Sequence, residues 1–212
     1  MRSRRAACLH LALCLMGFAV ALSAQQLIDR VLARVGTNAV TMTDVRIAVE
    51  LGLVEASGEN GQAAALQGTI DRQLELNEVA RFAPPEPAVA AVQEEMTAMK
   101  TRAGTNLSAL TTSTGLDEAR LEQLARETLR IRAYIAQRFG TSVQVTEDEA
   151  RRYYEEHPAE FRRDGVLMPF EQAETEARQR ASSERLRVTL EQWVRDLRMR
   201  ADVVIVGTTN QQ

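Results

Sequence analysis

The 212-residue sequence contains few thiol and imidazole side chains, which serve as nucleophiles, general bases and zinc ligands: two cysteines and two histidines. Both cysteines, Cys8 and Cys14, lie in the first 24 residues, and after residue 24 the one histidine is His157. Residues 25–212 therefore cannot form an internal disulfide, a Cys–His catalytic pair or a zinc site of the usual ligand types. His157 stands at a predicted helix end, where a cationic side chain favours the helix dipole, so we expect it to be structural.

Glycine-rich phosphate-binding loops are also missing. Carboxylates occur in adjacent pairs, such as Glu94 with Glu95 and Glu155 with Glu156. Neighbouring residues on a helix point about 100° apart, so these pairs do not converge on one substrate atom. The sequence therefore predicts a protein that is not an enzyme and that has no cofactor, metal or small-molecule substrate.

A hydrophobic segment stands at the N-terminus. Three arginines precede an apolar run over residues 6–22, which ends in small residues and is followed by Gln25. This order is typical of a secretory signal peptide over residues 1–24, with cleavage predicted after Ala24. The alternative is an uncleaved membrane anchor, because about 20 apolar residues span a bilayer.

The charge of the exported chain argues against nucleic-acid binding. Cleavage after Ala24 leaves 23 basic and 29 acidic residues, a net charge of −6. A nucleic-acid-binding domain usually carries a basic surface that neutralises phosphates. We therefore predict no nucleic-acid partner.

Most of the chain is predicted to be helical, because it is rich in alanine, leucine, glutamate and arginine. Thr146 and Glu149 have the spacing of a capping box at a helix start. In the last helix the apolar positions change side, from a stripe that begins at Phe170 to one that includes Trp193. This helix is thus expected to pack against different neighbours along its length. The predicted helices cover about residues 43–54, 62–82, 89–103, 117–139, 147–157 and 169–200, with a shorter helical segment in 106–114.

Two β segments are predicted at opposite ends of the chain. Residues 31–35 alternate with a period of two, a turn follows, and residues 39–41 form a short second strand. Residues 203–206 are β-branched, and we predict that they pair with residues 31–35, because an unpaired apolar strand favours aggregation. A monomer results from this pairing, and a swapped dimer is the alternative. The predicted fold class is mainly α with a small N-to-C-terminal β pairing.

Two apolar groups are candidates for contact with a partner. One combines methionines with a valine on the third helix, and the other is aromatic and flanks the helix that follows Thr146. Core packing is the favoured interpretation of both groups, and partner contact is the alternative. The candidate residues are Val92, Met96, Met99, Tyr153, Tyr154 and Phe161.

Several segments together resemble the SurA, PpiD and PrsA-like family of periplasmic chaperones. Residues 28–45 are similar to the start of these proteins, and residues 145–161 to the segment before their parvulin prolyl isomerase domain. Residues 169–203 resemble the helix and strand that follow that domain. The resemblance implies one chaperone domain over residues 25–206, made of parts 25–161 and 169–206, followed by a flexible tail at 207–212.

One departure from the family changes what the resemblance implies. Only seven residues, 162–168, stand where the family has a parvulin domain of about 90 residues. The resemblance therefore implies the chaperone module without isomerase activity. Such a module binds unfolded, aromatic-rich segments of exported proteins without ATP, including outer-membrane barrels. We expect the binding groove to lie between an arm, formed by the third helix and the helix over 117–139, and the body of the domain. A dedicated adaptor for one folded partner is the alternative.

Overall fold

The computed structural model describes residues 29–206, so the predicted signal peptide and the 207–212 tail lie outside the described residues. The described chain is mainly α-helical, as predicted. Single 3₁₀ turns cover Gly104–Asn106 and Pro158–Phe161. The strands are β1 (Val31–Val35), β2 (Asn38–Thr41), β3 (Arg162–Arg163), β4 (Val166–Leu167) and β5 (Val203–Ile205), and the helices are α1 (Met42–Glu50), α2 (Gly61–Phe82), α3 (Val89–Ala103), α4 (Leu107–Thr114), α5 (Glu118–Phe139), α6 (Glu147–Glu156) and α7 (Phe170–Arg200).

The two ends of the described chain pair in one antiparallel sheet with the strand order β2-β1-β5. Val35 lies opposite Val203, and Ala33 lies opposite Ile205. The backbone N–H of Val206 adds a hydrogen bond to the carbonyl of Leu32 at 2.9 Å. The predicted pairing of the terminal strands is thus confirmed, and it forms within one chain.

The predicted alternation of side chains in β1 is wrong at its first residues. The register shifts between Val31 and Ala33, which marks a β-bulge. Val31 is 41% exposed, whereas Leu32 is buried next to Ala33. A bulge adds one residue to a strand and so reverses the side-chain alternation on one side of it. The apolar face of β1 therefore includes Leu32.

Helix α1 begins with a capping box. The Thr41 hydroxyl accepts a hydrogen bond from the Asp44 N–H at 3.1 Å, and the Asp44 carboxylate accepts one from the Thr41 N–H at 3.0 Å. The helix ends at Glu50, shorter than predicted, because the chain turns at Gly52 with a positive φ of 64°. That backbone geometry suits glycine and does not continue a helix.

Replacing Thr41 with alanine removes a cap and is expected to lower the free energy of unfolding by about 1 kcal/mol. Urea denaturation followed by circular dichroism measures this loss. Thr37→Ala is the control, because Thr37 is exposed in the β1–β2 turn and its hydroxyl bonds no other described residue. An equal loss in both variants would show that the cap of α1 contributes nothing.

A second capping box begins α6, as predicted. The Thr146 hydroxyl accepts a hydrogen bond from the Glu149 N–H, and Glu149 accepts one from the Thr146 N–H at 2.8 Å. The Thr146 N–H, together with the Arg185 guanidinium at 2.5 Å, lowers the pKa of Glu149 to about 2. Because Arg185 belongs to α7, the cap also connects α6 to that helix.

The buried apolar residues form three clusters. The body cluster joins the sheet, α1, α2 and the C-terminal parts of α5 and α7, and at its centre the Trp193 ring lies 5.6 Å from the Tyr134 ring. The arm cluster joins α1, α3, α4 and the N-terminal part of α5. The distal cluster joins α6, the chain around Phe161 and the N-terminal part of α7, and comprises Val145, Ala150, Phe161, Phe170, Ala173 and Ala177.

Helix α7 links the distal cluster to the body. Its 31 residues span about 46 Å at 1.5 Å per residue. Phe170 and Ala177 are buried in the distal cluster, whereas Trp193 and Leu197 are buried in the body cluster. The predicted change of the apolar stripe along this helix is therefore confirmed. Within residues 29–206, none of the helices has the length and hydrophobicity of a bilayer-spanning segment.

Residues 162–168 form a short hairpin of β3 and β4. Asp164 and Gly165 both have positive φ angles, 52° and 81°, as a type I′ turn requires. The Tyr154 hydroxyl donates a 2.5 Å hydrogen bond to the carbonyl of Met168 and so fixes the end of the hairpin on α6. The hairpin thus leads directly into α7.

Candidate functional site

The candidate contact residues of α3 are buried. Val92, Met96 and Met99 have exposed fractions of 1%, 2% and 0%, and they belong to the arm cluster, where α3 packs against α5. Their spacing of three and four residues places them on one face, and that face meets α5. The interpretation that these residues form core is confirmed. Contact with a partner through these residues stays a prediction.

The aromatic candidates form the distal cluster. Phe161 is fully buried, with its ring centre 5.1 Å from that of Tyr154 and 6.2 Å from that of Tyr153. Both tyrosines are half-buried, and the Tyr153 hydroxyl donates to the Glu160 carboxylate at 3.1 Å. Burial and the Glu160 charge raise the pKa of Tyr153. These residues hold α6 against α7, and Phe161 has no exposed surface in the described structure.

A groove lies between helix α2 of the body and helix α5 of the arm. We call it the arm–body groove, and its cavity volume is about 480 Å³. Helix α2 lines it with Thr69, Arg72, Gln73, Leu76, Asn77 and Ala80. Helix α5 lines it with Arg120, Gln123, Leu124, Glu127 and Arg130. Strand β2 and the region of α1 complete it with Asn38, Ala39, Val40, Asp44, Ile47, Ala48 and Leu53.

The helical walls of the groove have the length of a short extended peptide. From Thr69 to Ala80 the helix rises about 16 Å, at 1.5 Å per residue. From Arg120 to Arg130, helix α5 rises about 15 Å, so the two walls have similar lengths. An extended chain advances about 3.3 Å per residue, so about five residues fit. The volume is within the range of sites that bind small molecules.

Of the three arginines that line the groove, Arg120 forms ion pairs with carboxylates. Its guanidinium lies 3.7 Å from the Asp44 carboxylate and 4.0 Å from the Glu127 carboxylate. Glu127 also accepts a hydrogen bond from the Gln123 side chain at 2.8 Å. Asp44 is at the same time part of the α1 cap. Both carboxylates of the groove are therefore already engaged.

Arg72 and Arg130 have no such partner. Arg72 donates to the Thr128 hydroxyl at 2.8 Å and to the Leu124 carbonyl at 3.4 Å, and within residues 29–206 no carboxylate lies within 4.0 Å of it. Burial lowers the pKa of Arg72, although the charges of Glu127 and Glu75 partly oppose this change. The Nε of Arg130 is buried and finds no hydrogen-bond partner in the described part of the chain. With three arginines and two carboxylates, the groove lining has a net charge of +1.

Ion pairs behind the groove hold its walls in place. Glu95, 7% exposed, accepts hydrogen bonds from Arg102 at 3.0 Å and Arg132 at 2.5 Å, which connects α3 to α5. Burial opposes ionisation of Glu95, but the hydrogen bonds from Arg132 and Arg102 lower its pKa overall. On the other wall Arg198 of α7 lies 2.5 Å from Asp71 of α2. Both helices that line the groove are thus anchored on the side away from it.

The sequence reasoning placed a groove between the arm and the body but did not find its polar residues. Neither Arg72 nor Arg130 is singled out by the sequence analysis, because charged residues usually lie on solvated helix faces. No local signal marks them. Arg72 is two residues from both Ile70 and Leu74 and so points about 200° away from their apolar stripe, and Arg130 points about 100° away from Ile131. Each arginine becomes half-buried because a facing helix covers it.

Comparison with protein-family models and with curated proteins identifies no family for this chain. No protein-family model matches it. No curated protein matches it significantly. The residues in the described ranges contain no group of three or more histidine, cysteine, aspartate or glutamate side chains placed to hold a metal ion. The candidate site is therefore defined by the arm–body groove and its arginines.

Proposed function

We propose that the protein is an ATP-independent periplasmic chaperone that binds extended segments of unfolded exported polypeptides in the arm–body groove, without prolyl isomerase activity. The resemblance to SurA-like proteins motivates this proposal. The single observation that carries it is the arm–body groove itself. It has a volume of about 480 Å³ and lies between two anchored helices, with room for about five extended residues. A holdase needs such a surface and needs no reacting groups.

The chemistry of the groove fits a peptide backbone. Amide side chains of Gln73, Asn77 and Gln123 line it, and amides both donate and accept hydrogen bonds, as main-chain groups do. Strand β2 is an edge of the sheet, and Asn38 to Val40 line the groove. An extended segment next to an edge strand gains main-chain hydrogen bonds that do not depend on its sequence. These features support binding of many different segments.

The direct test is light scattering of a chemically unfolded outer-membrane protein, with and without purified residues 25–212. We expect suppressed aggregation at near-equal molar ratios. Ala80→Trp is expected to weaken suppression, because Ala80 lines the groove and an indole there fills it. Ala63→Trp is the matched control, because Ala63 is exposed on the same helix and does not line the groove. Unchanged aggregation with a folded wild-type protein would contradict the chaperone proposal.

A dedicated adaptor for one folded partner is the second candidate. The charged lining of the groove favours it, because three arginines select a defined ligand more than an apolar surface does. It predicts a saturable complex with one protein of the cell envelope and no effect on generic unfolded clients. The scattering experiment with several unrelated clients distinguishes the two functions.

A further inference from the structure

We propose that the arm–body groove selects extended segments that carry an aspartate or glutamate, and that Arg72 and Arg130 bind the carboxylate. This inference rests on the proposed function, since it names the chemistry of the segment that the same groove binds. It differs from the sequence-based expectation of aromatic-rich clients. The candidate aromatic and methionine residues lie in the clusters, and the groove lining combines charged and amide groups with aliphatic side chains.

Arg72 and Arg130 are exceptional among the arginines of residues 29–206. Both are half-buried, and neither has a carboxylate within 4.0 Å in that part of the chain. The other arginines there that lack an acidic partner are exposed to solvent, which screens their charge. Every other half-buried arginine in the described range pairs with a carboxylate: Arg120, Arg126, Arg151, Arg178, Arg180, Arg185 and Arg198.

A half-buried guanidinium without a counter-charge loses hydration and gains little in return. The groove cannot supply the missing charge itself, because Asp44 is held in the α1 cap and by Arg120, and Glu127 by Gln123 and Arg120. Glu127 and Glu75 act on Arg72 only through longer-range charge. A carboxylate that enters the groove meets two planar donor groups that suit its geometry.

The buried Nε of Arg130 makes the argument specific. This N–H has no acceptor among the described residues, although buried donors are almost always paired. Thr128 and the Leu124 carbonyl both accept from one terminal nitrogen of Arg72. The other donors of the Arg72 guanidinium therefore remain for a ligand. A bound carboxylate with several lone pairs accepts from more than one of them.

Binding of fluorescent ten-residue peptides to purified residues 25–212, measured by anisotropy, tests this inference. The first peptide has one central glutamate, the second has glutamine there, and both have amidated C-termini. We expect the glutamate peptide to bind about tenfold more tightly, the usual effect of one charge-assisted hydrogen bond. Arg130→Gln is expected to remove this preference, and Arg130→Lys to retain most of it.

Controls separate the inference from the proposed function and from misfolding. Arg195→Gln, at an exposed position of α7, is expected to keep the tenfold preference. Arg72→Gln provides a second variant, and circular dichroism reports whether each variant folds. Equal binding of both peptides would overturn the inference and leave the chaperone proposal standing, whereas no binding of either peptide would contradict both. A third peptide, with glutamine and a free C-terminal carboxylate, is expected to bind like the second, and a tenfold gain there would overturn the assignment to a side chain.

Discussion

Phe161→Ala is expected to unfold the distal cluster while the body and the arm stay folded. Phe161 is fully buried and contacts both Tyr154 and Tyr153 at the centre of a cluster of six buried residues. Removing a buried phenylalanine ring costs about 3–5 kcal/mol. A cluster this small has few other apolar contacts to offset that loss, so α6 is expected to separate from α7.

Hydrogen exchange of backbone amides measures this result, because it reports local opening. Amides of α6 are expected to lose protection, and amides of α2 to retain it, since α2 belongs to the body cluster. Tyr153→Phe is the matched control, because it removes only the hydroxyl bond to Glu160 and keeps the ring. Loss of protection in α2 as well would show that the clusters unfold together, contrary to this prediction.

Glu75 is expected to make the protein less stable as the pH rises from about 4.5 to about 7. Burial raises the pKa of Glu75 from 4.5 to about 7, while the Arg72 charge opposes the rise and the Asp71 charge adds to it. Between these two values the folded state binds a proton that the unfolded state has lost. The free energy of unfolding therefore falls with rising pH in this window and levels off above it.

Glu75→Gln is expected to remove this slope and to stabilise the protein above pH 7. A pKa difference of about 2.5 units corresponds to about 3 kcal/mol at 1.36 kcal/mol per unit, as an upper bound for this half-buried group. Urea denaturation at pH 5 and pH 8 measures the effect, with Glu155→Gln, exposed on α6, as the control for removing one charge. Glu149, with a pKa of about 2, titrates below this window. An unchanged slope in Glu75→Gln would contradict the assignment.

Individual helices were predictable because their signals are local. Thr41 and Thr146 stand at the starts of α1 and α6 with an acid three residues later, and Gly104 follows the end of α3. Such signals depend on neighbours within one turn, and the structure has the helices there. The pairing of β5 with β1 was also predictable, since two apolar strands at opposite ends have few other partners.

The role of each apolar stripe was harder to predict, because a stripe has the same spacing whether a helix or a partner covers it. Met96 and Met99 illustrate this: α5 covers them, and they belong to the arm cluster. The β1 bulge was not predictable for a similar reason, since it depends on how Leu32 meets the body cluster and not on the strand's own pattern.

The sequence by itself determined the approximate position of each helix, the capping box at Thr146, the mainly α fold class and the pairing of the terminal strands, because hydrophobic period and capping act over short distances. Only the tertiary structure decided which polar residues share a groove. Arg72 and Arg130 are 58 positions apart, and nothing local to either residue predicts that α2 and α5 bring them to one cavity without a carboxylate beside them. Burial and charge pairing depend on which helices pack together, and that is a property of the whole fold.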